Sequence, residues 1–283
     1  MKISPVKYNM IFSARHRNNI EKNSQSKNKE LVHTSHFFRY DKNHLANQAI
    51  GEFLKRNCKS EPINVVSMGC SYGEEVYSLA MTLDYFNLDS RIKGFDISKQ
   101  ALNGIQEGIY RLSGYETEYL CPNLCHYEFN DNPSEFQKGM RKEFSKNFEL
   151  LDEWDKKFKV KEGSFQNCEF FQGDVTQLGK YFEKESQDLI NCSFVLYHLD
   201  DKDKLKTIKQ IYEVLKPGGI LCLAPLEHEP TLELKIFGFI QPNLKHPWIY
   251  QKPKKTGLFG NYLPFNLLEK NKKIYENIEQ KQY

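Results

Sequence analysis

From Pro62 onward the apolar positions fall into a repeating pattern. INVVSMG (63–69) is a short run with β-branched residues that ends in glycine, the mark of a buried parallel strand. EEVYSLAMTLDYF follows, with Val76, Leu79, Ala80 and Leu83 on one helical face. RIKGFDIS (91–98) reads as a second strand and KQALNGIQEGIY as a second helix. CEFFQGDV (168–175), QDLINCSFVLYHL (187–199) and GILCLAPL (219–226) read as strands three to five. Between the last two, DKLKTIKQIYEVLKPGG reads as a helix closed by Pro217, Gly218 and Gly219. Upstream, Leu45, Ala49, Phe53 and Leu54 recur at helical spacing. Strands alternating with helices predict an α/β fold with a doubly wound, mostly parallel sheet.

Three stretches stand outside this rhythm. Residues 1–31 are rich in Asn, Lys and Ser and read as a polar arm. Residues 111–162 interrupt the alternation with charge and aromatics, and read as a small subdomain inserted over the sheet's edge. Residues 32–110 and 163–283 then form the two parts of the main domain. In the tail, IFGFIQ and WIYQK read as an antiparallel hairpin, and KPKK (252–255) as a solvated basic loop. The aromatics of the insertion (Tyr115, Tyr119, Tyr127, Phe129, Trp154) fit either a small core or a surface for a protein partner. Insertions of this kind commonly decide the substrate on a shared fold, which favours the partner.

Composition narrows the class. Forty basic residues against 37 acidic ones leave a net charge of +3, too balanced to imply nucleic acid. Seven scattered cysteines do not form a disulfide framework and fit a reducing compartment. No segment has the length of a signal peptide's apolar core or a membrane span, so a cytoplasmic location without membrane insertion is expected. Cys121, Cys125 and His126 have a spacing a metal could use, but no second ligand pair accompanies them, and no metal is expected.

The chemistry gathers at SMGCSYGEEVYS (67–78). A turn after the first strand lies where open parallel sheets bind ligands, and Gly69, Ser71 and Gly73 allow close approach of the backbone. A pyrophosphate would be repelled by Glu74 and Glu75, and neither the dinucleotide glycine spacing nor the P-loop lysine is present. A ligand with an ammonium and a sulfonium suits acidic neighbours, and S-adenosylmethionine is the common cofactor of that description. Two carboxylates in a first helical turn also complement the helix dipole without any ligand. Asp96 ends strand two, where a carboxylate can accept ribose hydroxyls. Asp174 ends strand three, placed to accept from an adenine amino group while Val175 faces the ring. Singly each aspartate reads as a helix cap; at successive strand ends, with the glycine turn, they form a constellation.

HTSHFFRY (33–40), SMGCSYGEEVYSLAM (67–81), GFDIS (94–98), QALNGIQEGIYRL (100–112) and DLINCSFVLYHLDDKDKLKTIKQIYEVLKPGGIL (188–221) together resemble the chemoreceptor glutamate methyltransferase (CheR-type) family, in collinear order. The resemblance implies a Rossmann-like class I methyltransferase sheet, S-adenosylmethionine as cofactor, S-adenosylhomocysteine as product, and methylation of glutamate carboxylates on a protein substrate. It implies that Ser35 and Arg39 hold the cofactor's methionine carboxylate, Glu75 its ammonium, Asp96 its ribose, and Asp174 with Val175 its adenine. Cys192 aligns with the cysteine of the family's Cys-Arg-Asn segment, and is counted with the cofactor residues.

This chain departs from the family in two places. Cys192, Ser193 and Phe194 stand where the family shows Cys-Arg-Asn, and VLYHL replaces Val-x-Ile-Tyr-Phe. Much of the family's helical N-terminal domain has no counterpart in the roughly 34 residues before Ser35. A carboxylate acceptor is already ionised at neutral pH and needs no base. An amine or hydroxyl acceptor would need one, and His198 is best suited to it. His198 or Tyr197 is expected to orient the nucleophile, with a half-buried structural histidine as the alternative. A small molecule or another protein side chain as acceptor, and a non-catalytic cofactor-binding adaptor, remain open.

Overall fold

The computed structural model describes residues 35–39, 46–58, 61–125, 127, 132–224, 231–242 and 245–254. The arm at 1–31, His126, Phe129, Lys255 and the tail beyond lie outside these residues.

The apolar run at Ile63–Met68 forms β1, whose side chains are almost all buried, as expected of a strand covered on both faces. Gly73 then takes a left-handed φ of 88° and opens α2 (Glu74–Tyr85). β2 (Ser90–Asp96) and α3 (Lys99–Glu107) follow, the helix capped by the Ser98 side chain on the Ala101 N–H. β6 (Cys168–Gln172), β7 (Gln187–Asn191), α7 (Asp201–Val214) and β8 (Leu215–Cys222) continue the alternation after the insertion. Helix α1 (Ala46–Asn57) precedes the sheet in sequence.

The six strands run in the order β6-β2-β1-β7-β8-β9, with β9 formed by Ile249–Gln251. β1 pairs in parallel with β2 from Ile63↔Ser90 to Met68↔Phe95, and with β7 from Val65↔Leu189 to Ser67↔Asn191. The chain therefore winds outward from β1 to β6, then returns to build β7 and β8 on the other side. The order reverses between β1 and β7, and open parallel sheets bind their ligands at the carboxyl ends beside such a reversal.

Strand four is shorter than the expected 187–199. It ends at Asn191, although the Cys192 N–H still donates to the Cys222 carbonyl at 2.9 Å. Phe194 has φ 58°, which no ladder can continue, and Leu196–His198 coil into one 3-10 turn. The expected helix through Gly219 likewise stops at Val214. Lys216 to Gly219 are instead taken up in the start of β8, where the register jumps from Gln187↔Leu215 to Leu189↔Ile220. A Cβ on Gly219 would lie 2.9 Å from the Lys216 carbonyl oxygen, so the bulge requires glycine.

The tail corrects two expectations. WIYQK supplies β9, antiparallel to β8, whereas IFGFIQ contributes only an isolated bridge from Ile240 to Gln251. Lys252 is buried rather than solvated: its Nζ donates to the Leu215 carbonyl at 2.8 Å and stands 4.8 Å from the Tyr212 ring centre.

Residues 111–162 complete a three-stranded antiparallel sheet, β3-β5-β4, whose first strand begins just ahead of them: Ile109–Arg111, Lys157–Val160 and Phe148–Asp152. Helices α4 (Gly114–Leu120) and α5 (Glu135–Asn147) complete it. α5 lies on α2, with Met140 beside Thr82 and Gly139 against the Tyr85 ring. Phe37 joins this layer, meeting Tyr110, Phe144 and Phe148 edge-on with ring centres 5.4–5.6 Å apart. Each such pair adds about 0.5–1.5 kcal/mol beyond burial alone. One apolar core thus runs from β1 and α2 into the insertion. A short α6 (Leu178–Tyr181) follows β6, and α8 (Thr231–Ile236) precedes β9.

Candidate functional site

The turn after β1 is held by its own backbone and by β2. Cys70 donates its N–H to the Phe95 carbonyl at 3.0 Å, and Gly73 donates to the Cys70 carbonyl at 2.9 Å. Ser71 donates its N–H to Asp96 Oδ2 at 2.9 Å, while Asp96 Oδ1 accepts from the Ser98 N–H at 2.7 Å. Gly69 has φ 64°, and a Cβ there would approach Val195 Cγ2 to 2.6 Å. The loop after β7 therefore packs directly on the glycine turn. Turn and loop together form one wall at the point where strand order reverses.

Beside this wall lies a cavity of about 30 Å³, lined by Arg39, Glu75, Asn191, Ser193 and Trp248 among others. That is room for one water-sized group. Burial pushes the Glu75 carboxyl above its ordinary range, and the side chains of Ser193 and Asn191 and the charge of Arg39 pull it partly back. Asn191 Nδ2 is itself buried and completes no hydrogen bond within normal geometry. The Arg39 guanidinium carbon sits 4.2 Å above the centre of the Phe194 ring. A cation, a carboxylate and an amide thus line one small space, and their charges and donors complement a carboxylate and an ammonium.

Glu74 takes a separate direction. It faces the Ser35 hydroxyl, with Glu116 and His36 nearby, and burial foremost raises its pKa; its Oε2 is buried without a hydrogen-bond partner. Glu116 is held below the ordinary carboxylate range although burial opposes this, because His36 and Ser113 donate to it. Its Oε1 accepts the Phe37 N–H and its Oε2 the Ser113 N–H, each at 2.7 Å. Ser35 is therefore grouped with Glu74, and does not line the cavity of Arg39 and Glu75.

The remaining expected residues divide between wall and scaffold. Asp174 caps the 3-10 turn after β6: its Oδ1 accepts from Thr176 N and Oγ1, each at 2.8 Å, and its Oδ2 from Gln177 Nε2 at 3.2 Å. Burial raises its pKa, but these donors outweigh it and leave the carboxyl below the ordinary range. Val175 packs at the edge of the core under β7 and β8, in which Cys192 is fully buried. Tyr197 and His198 lie on the outside of their turn with ring centres 3.9 Å apart; Tyr197 is 61% exposed. Neither lines the Glu75 cavity.

Sequence reasoning passed over Asn191, Trp248 and the roles of Ser193 and Phe194. The signal was the Cys-Ser-Phe stretch, which marked those positions as unusual without saying what they touch. Among the described residues no group of three or more His, Cys, Asp or Glu could hold a metal, and no helix is long and apolar enough to cross a membrane.

Two family models match the chain. "CheR methyltransferase, SAM binding domain" covers residues 33–118, and "Methyltransferase domain" covers residues 143–223. Chemotaxis protein methyltransferase 2 of Vibrio cholerae is 26% identical over 179 residues, 62% of this chain and 54% of that protein. The chemotaxis protein methyltransferase of Campylobacter jejuni is 27% identical over 62% of this chain and 59% of that protein. Demethylmenaquinone methyltransferase of Lactococcus lactis is 38% identical over a shorter stretch, 28% of this chain and 29% of that protein. The chain spans little more than half the length of these chemotaxis relatives.

The sheet and the matched segments define a class I methyltransferase fold. Within that class the chain resembles the CheR type, and S-adenosylmethionine is the cofactor of the matched domain. The residues present fit it: Glu75 is a buried carboxylate suited to an ammonium, and Asn191 Nδ2 is a buried amide donor without a hydrogen-bond partner.

Proposed function

We propose that the protein is an S-adenosylmethionine-dependent methyltransferase acting on a protein carboxylate, in the manner of glutamate O-methyltransferases. The observation that carries the cofactor site is the convergence of Arg39, Glu75 and Asn191 on one cavity beside the glycine turn. Arg39 would hold the methionine carboxylate, Glu75 the ammonium and Asp96 the ribose hydroxyls. Asp174 has an oxygen with one bond made, and with Val175 it would border the adenine. Gly69 and Gly73 let the backbone approach, Ser35 acts through Glu74, and Cys192 supports the floor from below. When bound, the cofactor supplies a methyl group on a sulfonium, which an acceptor oxygen takes as the thioether leaves.

For a carboxylate acceptor the chain needs only to align and desolvate it, because the acceptor is already ionised. His198 and Tyr197, exposed on the turn after β7, would meet the acceptor at the mouth of the site. The protein partner would dock through the insertion.

A second reading is favoured by the stretch resembling a demethylmenaquinone methyltransferase, whose name denotes a small-molecule acceptor. Incubation of the protein with methyl-labelled cofactor and native extract separates the two. Label in protein that mild alkali releases as methanol supports the carboxylate. Alkali-stable label, or label only in small molecules, supports the second reading. His198→Ala with unchanged turnover would remove that residue from the chemistry.

A further inference from the structure

Arg39 is fixed at both ends. On its backbone side, Phe37 and Phe38 are each 1% exposed, the Phe38 N–H donates to Ser78 Oγ at 3.0 Å, and the Tyr115 hydroxyl donates to the Phe38 carbonyl at 2.7 Å. At the other end the guanidinium lies over the Phe194 ring at 4.2 Å. Phe194 holds φ 58°, an uncommon conformation for a bulky residue, which persists where the surroundings over-determine it. The preceding residue, Ser193, turns its hydroxyl to Glu75. Two adjacent residues of one loop therefore attend to two opposite charges.

We propose that Phe194 is a positioning residue for the cofactor: its ring face holds the Arg39 guanidinium beside Glu75, so that the grip on the methionine carboxylate depends on a cation–π contact from the loop after β7. The inference rests on the cofactor reading above. A guanidinium stacked on a ring directs its edge N–H groups sideways, the direction from which a carboxylate is forked, because the ring takes only the face. A long flexible side chain otherwise loses conformational entropy on binding, and the ring removes that cost in advance. The strained backbone of Phe194 serves this end, since a relaxed φ would swing the ring away from Arg39.

The test is calorimetric titration of the full chain with S-adenosylhomocysteine. Phe194→Leu keeps an apolar side chain and the backbone constraint but removes the ring face. It is expected to weaken binding roughly three- to thirty-fold, the range of a cation–π contact from exposed to desolvated. Phe194→Tyr restores affinity to within about twofold, since it keeps the ring. In an Arg39→Ala background the Leu substitution costs nothing further, because the residue it acts through is gone. Phe194→Met replaces the Leu variant if that one does not fold. Unchanged affinity in the Leu variant, or an equal loss with and without Arg39, overturns the role of Phe194 and leaves the cofactor site standing. A parent protein that binds no S-adenosylhomocysteine overturns the cofactor reading itself.

Discussion

The Ser71 N–H donates to Asp96 Oδ2 at 2.9 Å, which ties the glycine turn of β1 to the end of β2. The two neighbouring strands thus present their carboxyl ends as one surface, and the carboxylate proposed for a ribose is oriented by the protein's own N–H groups. Its other oxygen is held by Ser98, whose side chain caps α3.

Replacing Asp96 with Ala leaves the N–H groups of Ser71 and Ser98 without their acceptor. Hydrogen bonds to charged groups contribute about 1.5–3 kcal/mol each, so a loss of a few kcal/mol is expected. In a domain of this size that lowers Tm by about 2–4 °C per kcal/mol, read by thermal denaturation. S-adenosylhomocysteine affinity falls as well. Asp96→Asn, which keeps one acceptor oxygen, should retain part of both.

Glu75 couples stability to pH. Its pKa is raised on folding, chiefly by burial, so its contribution to stability is full below the ordinary value of 4.5 and is lost as pH rises through the raised value. Glu75→Gln should flatten that decline and stabilise the ligand-free protein near neutral pH. The same variant should weaken S-adenosylhomocysteine binding about tenfold or more, through loss of a charge-assisted hydrogen bond. In the parent, affinity should climb with pH across that window, as the ammonium's partner ionises. Calorimetry and melting curves over a pH series check all three, and a Gln variant that binds as tightly as the parent would remove Glu75 from the site.

Gly69→Ala adds a Cβ 2.6 Å from Val195 Cγ2 at a left-handed φ. The backbone term alone is about 1–2 kcal/mol, and the contact adds to it. Val195→Ala in the same chain should recover the contact's share but not the backbone's. Denaturant melts of the two single variants and the double variant measure that coupling.

Lys252→Met keeps the length of the buried stem but leaves the Leu215 carbonyl without its Nζ donor. A loss of about 1–3 kcal/mol is expected. It should be accompanied by faster amide exchange in β9, the edge strand that Lys252 follows.

The sequence spoke most clearly where one local rule decided the outcome. Val65 and Val66 are buried on either side of β1, and Gly69 and Gly73 both adopt the left-handed φ that only a turn requires. The place of Asp96 at the end of β2 was legible because a strand end is a local position. It was unreadable that strand four stops at Asn191, since FVLYHL has the composition of a strand and only the packing of Leu196 and the φ of Phe194 turn it outward. Lys252 was misread for a related reason: a lysine's burial is set by the carbonyl it reaches, 37 residues away in the chain. Glu74 and Glu75 are adjacent and chemically identical, yet one looks to Ser35 and the other to Ser193. No periodicity separates them beyond the rotation of a single helical residue.

Phe37 is the inner neighbour of Phe38 and Arg39 and is embedded among the aromatics of the insertion. The module proposed to choose the partner is therefore also the foundation of the arginine proposed for the cofactor. Exchange of 111–162 between homologous proteins, as a route to new acceptors, would carry a hidden toll at the opposite end of the reaction. A chimera has to bring its own residues 35–39 with it, because Phe37 is packed against Phe144 and Phe148 of the exchanged segment.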